Sequence, residues 1–150
     1  METKEIVNRK ARFHYEIIET VEAGIELRGT GVKSIRQGKA VINDAFARVE
    51  KNEVWLMGSH IDEYAPGNRY NHDPKRTRKL LLHRSEIRHL FQLSSVGGFT
   101  LVPLKLYFSA RGIAKVLLGV GRGKSGADRR EDIKKRDVDR EIRQALGRRR

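Results

Sequence analysis

Cysteine is absent from this chain, which excludes disulfide bonds and any metal site built on thiolates. Long apolar runs are missing too: no stretch approaches the roughly 20 apolar residues that a membrane-spanning helix needs. The opening METKEIVNRKARFHYEII also lacks the apolar segment of a secretory signal. We therefore expect a soluble, cytoplasmic protein that has no membrane partner.

Histidines with metal-ligand spacing are lacking as well. Five histidines occur, at His14, His60, His72, His83 and His89. His83 and His89 are six positions apart and would miss a common helix face by a wide angle. The adjacent acids Asp62 and Glu63 would point to opposite sides of a strand, which is poor geometry for an acid and base pair. We therefore expect no metal, no cofactor and no enzymatic activity.

Positive charge, by contrast, is plentiful. The 150 residues carry 32 Lys and Arg against 19 Asp and Glu, a formal net charge of +13. Such a charge attracts polyanions, whether nucleic acid, acidic lipid or acidic protein, and RNA or DNA is the favoured partner. The length suits one hydrophobic core with an appended tail.

Composition divides the chain at Val120. Residues 121–150 hold twelve Lys and Arg, six acids and few large aliphatic residues. We expect a barrel over residues 1–120 and a flexible basic tail over 121–150, disordered in isolation because it buries too little apolar surface. Val138, Ile142, Ala145 and Leu146 share a narrow arc of a helical wheel, so the tail is predicted to become helical against a partner. A solubilising tail without a partner is the alternative.

Apolar and polar residues alternate in short runs between residues 13 and 120, which is typical of strands. The clearest pair is FTLVPLKLYF and IAKVLLGV, which SARG joins into a hairpin. One face of this hairpin is predicted to point inward, namely Val102, Leu104, Leu106, Phe108, Ala114, Val116, Leu118 and Val120. A second hairpin is predicted around Lys51 and Asn52, and a long first strand is predicted to bulge at 17–18.

Two segments have helical spacing instead. TGVKSIRQG is predicted to form at most two turns and to end at Gly38. In SEIRHLFQLSSVGG, Ser85 is a natural N-cap, and Ile87 and Leu90 belong to an apolar stripe. Four to six strands with two to three short helices predict a mainly β fold, an OB-like antiparallel β-barrel.

The stretch GVGRGKSGADRRED resembles a phosphate-binding loop, but its spacing is wrong. Gly123, Lys124 and Ser125 match the end of the pattern, whereas its first glycine would have to stand where Leu118 is. The chain then enters a charged tail instead of a β-α-β unit. We interpret the stretch as a flexible basic hinge, in which Gly119, Gly121, Gly123 and Gly126 give freedom while Arg122 and Lys124 meet phosphates.

The segment HDPKRTRKLLLHR is the most informative part of the body. Lys75, Arg76, Arg78 and Lys79 crowd ahead of three leucines that are apolar enough to enter the sheet. Lys105 and Lys115 lie in the middle of predicted strands, where lysine is uncommon. Together these cations predict one surface that binds RNA phosphates, although a merely solvated face is the alternative.

Three segments resemble a known family. VEAGIELRGTGVKSIRQGKAVI, DPKRTRKLLLH and GIAKVLLGVGRGK, in this order and spacing, resemble the SsrA-binding (SmpB) family of bacterial trans-translation. The resemblance implies an oligonucleotide-binding barrel that binds the tRNA-like domain of transfer-messenger RNA (tmRNA). It further implies that the tail enters the decoding centre and the empty mRNA channel of a stalled ribosome, probing them as a helix. Catalysis would belong to the ribosome and to elongation factor Tu in the delivery complex.

The resemblance also implies functional residues. On the RNA side they are Glu22, Ala23, Gly24, Lys33, Arg36, Leu81 and Lys115, beside the cations already named. On the ribosome side they are Asp128, Arg129, Arg130, Lys134, Lys135, Arg136, Ile142 and Leu146. Glu22 would accept hydrogen bonds from base or sugar donors, and its alternative role is a structural turn. Gly31 replaces the glutamate usual in the family, which weakens the short helix by about 1 kcal/mol.

Two other functions stay open on the sequence. A ribosomal or general RNA-chaperone protein would use the same barrel without a specific partner and would bind unrelated RNAs equally. The second is a small nucleotide hydrolase that uses Lys124, and the only support for it is the imperfect match to the phosphate-binding loop.

Overall fold

Strands dominate the computed structural model, which describes residues 5–64, 71–124, 130, 133–138, 140–142 and 144. The strands are β1 (Ile6–Val7), β2 (Tyr15–Ile25), β3 (Ala40–Val41), β4 (Phe46–Glu50), β5 (Glu53–Met57), β6 (His60–Ile61), β7 (Arg78–Leu81), β8 (Thr100–Phe108) and β9 (Ala114–Gly123). The helices are α1 (Ala11–His14), α2 (Gly29–Arg36) and α3 (Arg84–Phe91), and a π-helical turn (Gln92–Val96) extends α3. Within the described residues, no helix is long and apolar enough to cross a bilayer.

Six antiparallel strands close into a barrel. The strand order in the sheet is β1-β8-β4-β5-β7-β2-β9. Because β8 also pairs with β9, the six strands from β8 to β9 form a closed ring. Strand β1 pairs with β8 and lies outside this ring. Strands β3 and β6 form a separate pair. The predicted mainly β barrel with short helices is confirmed.

The barrel interior holds one apolar core that both larger helices enter. Val54 and Leu118 of the strands are fully buried in it, as are Ile35 of α2 and Leu90 of α3. Helix α2 follows the end of β2, whereas His89 of α3 contacts Glu19 in the first half of that strand. The two helices therefore cover opposite ends of the barrel, and each buried aliphatic side chain contributes about 1.5–3 kcal/mol of burial free energy.

A second apolar cluster lies on the outer face of the barrel, under α1. Ala11 of α1 packs there on Val102 and Leu104 of β8. The register of β8 shifts between Pro103 and Lys105. Because such a bulge adds one residue, the side chains on either side of it exchange faces. The prediction that Val102 and Leu104 point into the barrel is therefore wrong, and Leu101 is the inward residue.

Several local predictions are confirmed. The register of β2 shifts between Ile17 and Glu19, as the broken alternation predicts. Lys51 and Asn52 have φ values of 50° and 62° in the β4–β5 turn, the signature of a two-residue hairpin turn. The N-cap of α3, however, is His83 and not Ser85, and its backbone N–H donates to the Glu86 carboxylate at 3.0 Å.

The predicted hinge at 119–123 is wrong, because β9 continues through Gly123 with partners on β2 and, as far as Gly121, on β8. Two of its glycines, Gly119 and Gly121, allow neighbouring atoms to approach the strand closely. A Cβ at Gly119 would lie 3.0 Å from the Leu104 side chain, and one at Gly121 would lie 3.0 Å from the Glu16 carbonyl oxygen. Glycine is therefore needed here for packing against the outer cluster. Gly126 lies outside the described residues.

The tail is helical and exposed at its described positions, which are 130, 133–138, 140–142 and 144. This differs from the disorder predicted for the isolated chain. Lys and Arg are good helix formers, and Asp137 stands three positions from both Lys134 and Arg140, a spacing that supports a helix. The Arg136 guanidinium lies 5.0 Å from the Phe13 ring centroid, close to α1.

Candidate nucleic-acid interface

A row of outward-facing residues crosses four neighbouring strands of the barrel. Tyr107 of β8 is opposite Lys115 of β9, Lys115 is opposite Gly24 of β2, and Gly24 is opposite Leu81 of β7. Neighbouring strands are about 4.8 Å apart, so the row is about 14 Å wide. We call this row and its outward neighbours the outer strip, which comprises Glu22, Gly24, Lys79, Leu81, Lys105, Tyr107 and Lys115.

The centre of the outer strip is apolar. Leu81 is 50% exposed, and a Cβ built on Gly24 would lie only 3.2 Å from the Leu81 Cβ. The leucine therefore lies over the glycine and presents its side chain to solvent between charged neighbours. Ala23 is 1% exposed and faces the core, so its side chain is not available to a ligand.

The Glu22 carboxylate on β2 is positioned by a side chain of β8, which lies two strands away on the same outer face. The Tyr107 hydroxyl donates a hydrogen bond to its carboxylate. Burial, followed by this hydrogen bond, raises the pKa of Tyr107 to about 12. Glu22 lies inside β2 and not in a turn, which removes the structural-turn alternative. Alternation in the sequence places Tyr107 on the outer face, but it does not reveal which carboxylate the hydroxyl reaches.

Lysines flank the apolar centre on both sides. Lys105 lies 3.6 Å from the Glu5 carboxylate and 4.9 Å from the Tyr107 ring centroid. On the other side, Lys79 lies 3.1 Å from the Glu53 carboxylate. Lys115 forms no ion pair with any described residue, so its charge is not neutralised by a neighbour.

Helix α2 adds two cations beside the strip. The Arg36 guanidinium lies 4.6 Å from the ring centroid of Phe108, the residue after Tyr107, and donates to the Gly112 carbonyl at 3.4 Å. Lys33 is one turn earlier on the same helix face and lies 5.2 Å from the Tyr64 ring centroid. Lys33 and Arg36 are both exposed. Because Arg36 contacts the residue next to Tyr107, the predicted cations of α2 lie beside the strip.

The basic segment ahead of β7 divides into exposed and buried members. Lys75 is exposed, and Arg76 is half-buried with a hydrogen bond of 3.5 Å to the Glu26 carbonyl. Arg78, in contrast, is only 1% exposed. The prediction that Arg78 meets RNA is therefore wrong for its side chain, which is closed off from any ligand.

Arg78 instead holds the segment together from beneath. Its guanidinium donates to the Ser59 hydroxyl at 2.9 Å and to the carbonyls of Arg76, Asp73 and Pro74 at 2.9, 3.1 and 3.2 Å. Burial, with the nearby Arg76 charge as a second cause, lowers the pKa of Arg78 to about 10. The residue therefore fixes the loop that presents Lys75 and Arg76.

Arg122 and Lys124 do not join the outer strip. Arg122 is seven residues beyond Lys115 on β9, which corresponds to about 23 Å of strand. Its guanidinium lies 2.7 Å from the Glu16 carboxylate, and the Lys124 ammonium donates to the Arg12 carbonyl at 2.8 Å. These two cations therefore form a separate group at the far end of β9.

The predicted ribosome-contacting residues are described in part. Those with a described position, all helical and exposed, are Arg130, Lys134, Lys135, Arg136 and Ile142. Asp128, Arg129 and Leu146 lie outside the described residues. Across the described part of the chain, no three His, Asp or Glu side chains come together as a metal site would require.

Comparison with known proteins assigns this chain to a family. The model of the family described as SmpB protein matches residues 5–148. The SsrA-binding protein of Geobacillus sp. (strain WCH70) is 59% identical over 139 residues, which cover 93% of this chain and 89% of that protein. The SsrA-binding protein of Bacillus subtilis (strain 168) is 54% identical over 139 residues, covering 93% and 88%.

Solved structures agree with the sequence comparison. One described as "tmRNA-SmpB: a journey to the center of the bacterial ribosome" superposes with a TM-score of 0.69 at 52% identity. The match covers 81% of this chain and 85% of that one. Fold, sequence and the predicted motifs converge, and this chain belongs to the SmpB family.

Proposed function

We propose that this protein is a non-enzymatic RNA-binding factor of the cytoplasm. It binds the tRNA-like domain of tmRNA and delivers it to stalled ribosomes for trans-translation. The observation that carries the proposal is the outer strip, where flanking lysines suit phosphates while Leu81 and the held Glu22 carboxylate suit bases or sugars. The relatives named SsrA-binding protein and the tmRNA-SmpB structure support it.

The tail supplies the second half of the proposed function. Its described residues are helical and exposed, and they include Arg130, Lys134, Lys135, Arg136 and Arg140 beside the exposed Ile142. Such a helix suits an RNA-lined channel, and in our proposal it enters the decoding centre and the empty mRNA channel. Elongation factor Tu accompanies the complex during delivery, and GTP hydrolysis belongs to that factor.

Competitive binding tests the RNA specificity. A labelled tRNA-like domain is titrated with the full chain and displaced by a random hairpin of equal length at the same salt concentration. The proposal expects displacement to need a large excess of hairpin, because shape and base contacts add to the electrostatic attraction. Equal competition by the hairpin would favour a general RNA chaperone and overturn the proposal.

A further inference from the structure

A groove of about 620 Å³ lies beside the outer strip, between the β4–β5 turn, β7 and the start of α3. Four cations line it, namely Lys51, Lys79, Arg84 and Arg88. Among the described residues that line it, the single acid is Glu53. We call it the lateral groove, and its charge suits an anionic ligand.

Most of this charge is not neutralised by any residue that the structure describes. Lys79 pairs with Glu53 at 3.1 Å, whereas Lys51, Arg84 and Arg88 form no ion pair with any described residue. Lys51 also occupies the hairpin turn at a φ of 50°, a conformation that glycine or asparagine adopts at lower cost. The turn therefore keeps a lysine at the rim of the groove where a smaller residue would be less strained.

The lateral groove and the outer strip share two residues. Lys79 and Leu81 are outward residues of β7, and both also line the groove. From Lys115 the surface therefore passes over Gly24 to Leu81 and then directly into the groove. Cations lie at both ends of this path, and the apolar centre with Glu22 lies between them.

This order of charges matches a folded RNA with two backbone segments. One segment meets Lys105 and Lys115, unpaired bases or sugars meet Leu81 and Glu22, and a second segment continues across β7. We propose that the lateral groove binds this second phosphodiester segment of the same RNA through Lys51, Arg84 and Arg88. The proposal rests on the proposed function and adds a contact surface to it.

Removal of two groove charges tests the proposal. The full chain carrying Arg84→Gln and Arg88→Gln is titrated against the tRNA-like domain between about 50 and 300 mM KCl. Because this variant cannot bind two of the phosphates, the slope of log K against log salt should become shallower by about 1.4–1.8, and affinity at low salt should fall about tenfold or more. Hydroxyl-radical footprinting should show that one protected backbone segment disappears while the other stays protected.

One matched variant controls for net charge, and a second variant tests the groove in the opposite direction. Lys10→Gln with Lys39→Gln removes the same charge from exposed residues that line neither the groove nor the strip, and it should leave the footprint intact. Glu53→Gln removes the groove's acid and frees Lys79, so it should tighten binding and steepen the slope. Thermal unfolding of each variant shows that the fold is retained.

The possible results distinguish failure of the groove proposal from failure of the proposed function. If the arginine variant keeps the wild-type slope and both protected segments, the groove does not bind the RNA. If the two double variants lose affinity equally, only net charge matters, and the proposal is again overturned. In both cases a retained preference for the tRNA-like domain over a random hairpin leaves the proposed function standing, whereas loss of that preference in the wild type removes it.

Discussion

The Tyr107 hydroxyl donates a hydrogen bond to the Glu22 carboxylate, which is 85 positions away in the sequence. The contact crosses β9, because β2 and β8 are its two neighbours in the barrel. It fixes the orientation of an acceptor whose charge still repels phosphate, which leaves base and sugar donors as the partners that suit it.

Tyr107→Phe tests this positioning role. We expect the affinity for the tRNA-like domain to fall about two- to thirteenfold, the range of one hydrogen bond of about 0.5–1.5 kcal/mol. Glu22→Gln should cause a comparable loss, and the double variant should lose little more than either single variant, because the two residues act as one unit. Additive losses would show that Tyr107 acts independently of Glu22.

The raised pKa of Tyr107 predicts a pH dependence. The folded state holds the phenol proton more tightly than the unfolded chain, whose pKa is 10.0. The stability from this group is therefore complete below pH 10 and is lost as the pH rises towards 12. Ultraviolet titration should show a late phenol component, and that component should be missing from Tyr107→Phe. A titration curve unchanged by the substitution would contradict the assignment.

Lys115→Gln should weaken binding to structured RNA without lowering stability, because the lysine has no ion-pair partner among the described residues. Removing one phosphate contact makes the slope of log K against log salt shallower by about 0.7–0.9. Arg122→Gln is the matched control at the far end of the same strand. A larger slope change in the control than in Lys115→Gln would relocate the interface to the Arg122 end of β9.

Arg78→Met should destabilise the fold by about 2–3 kcal/mol, since the buried Ser59 hydroxyl and three partly buried carbonyl oxygens lose a charged donor. Arg78→Lys should recover only part of this, because a single ammonium cannot reach all four acceptors. Urea unfolding measures both values, with Lys75→Met as an exposed control. Equal stability of the Met variant and the wild type would show that the loop does not depend on this guanidinium.

Gly31→Ala should stabilise the protein by about 1 kcal/mol, the difference in helix propensity. A Cβ at Gly31 would make only ordinary contacts, the nearest being 3.8 Å from Leu27. Gly24→Ala is the contrasting variant: its Cβ presses on Leu81 at 3.2 Å, so RNA affinity should fall. Thermal unfolding and RNA titration of the pair check both expectations, and a destabilised Gly31→Ala would contradict the first.

The sequence predicts the barrel well because its signals are local. Alternation, the turn at Lys51 and Asn52, and the Ile17 bulge each depend on neighbours in the chain, and the structure contains all three. The second bulge, at Pro103–Lys105, cannot be predicted in this way, because an alternating segment gives no sign of where one extra residue enters. That single residue decides whether Val102 and Leu104 face the core or α1.

The candidate site is less predictable from the sequence than the barrel, since burial of a charge depends on distant partners. Arg78 and Lys79 are adjacent in one basic cluster, yet one lies under the loop and the other on the outer strip. The acceptors of Arg78 are mostly carbonyl oxygens, which every residue has and no motif reveals. Likewise, Arg122 resembles Lys115 in the sequence, but the length of β9 separates them.

The course of β9 has a mechanical consequence for the segment that follows it. Up to Gly121 this strand is bonded along both edges, to β2 and to β8, and its last paired residue is Gly123. Tension on the carboxyl-terminal arm along the strand axis is therefore shared by two ladders of bonds in shear, since these bonds run perpendicular to the strands. If the residues after Gly123 were held in a channel while the outer strip stayed bound to RNA, the barrel would therefore resist unfolding under this tension.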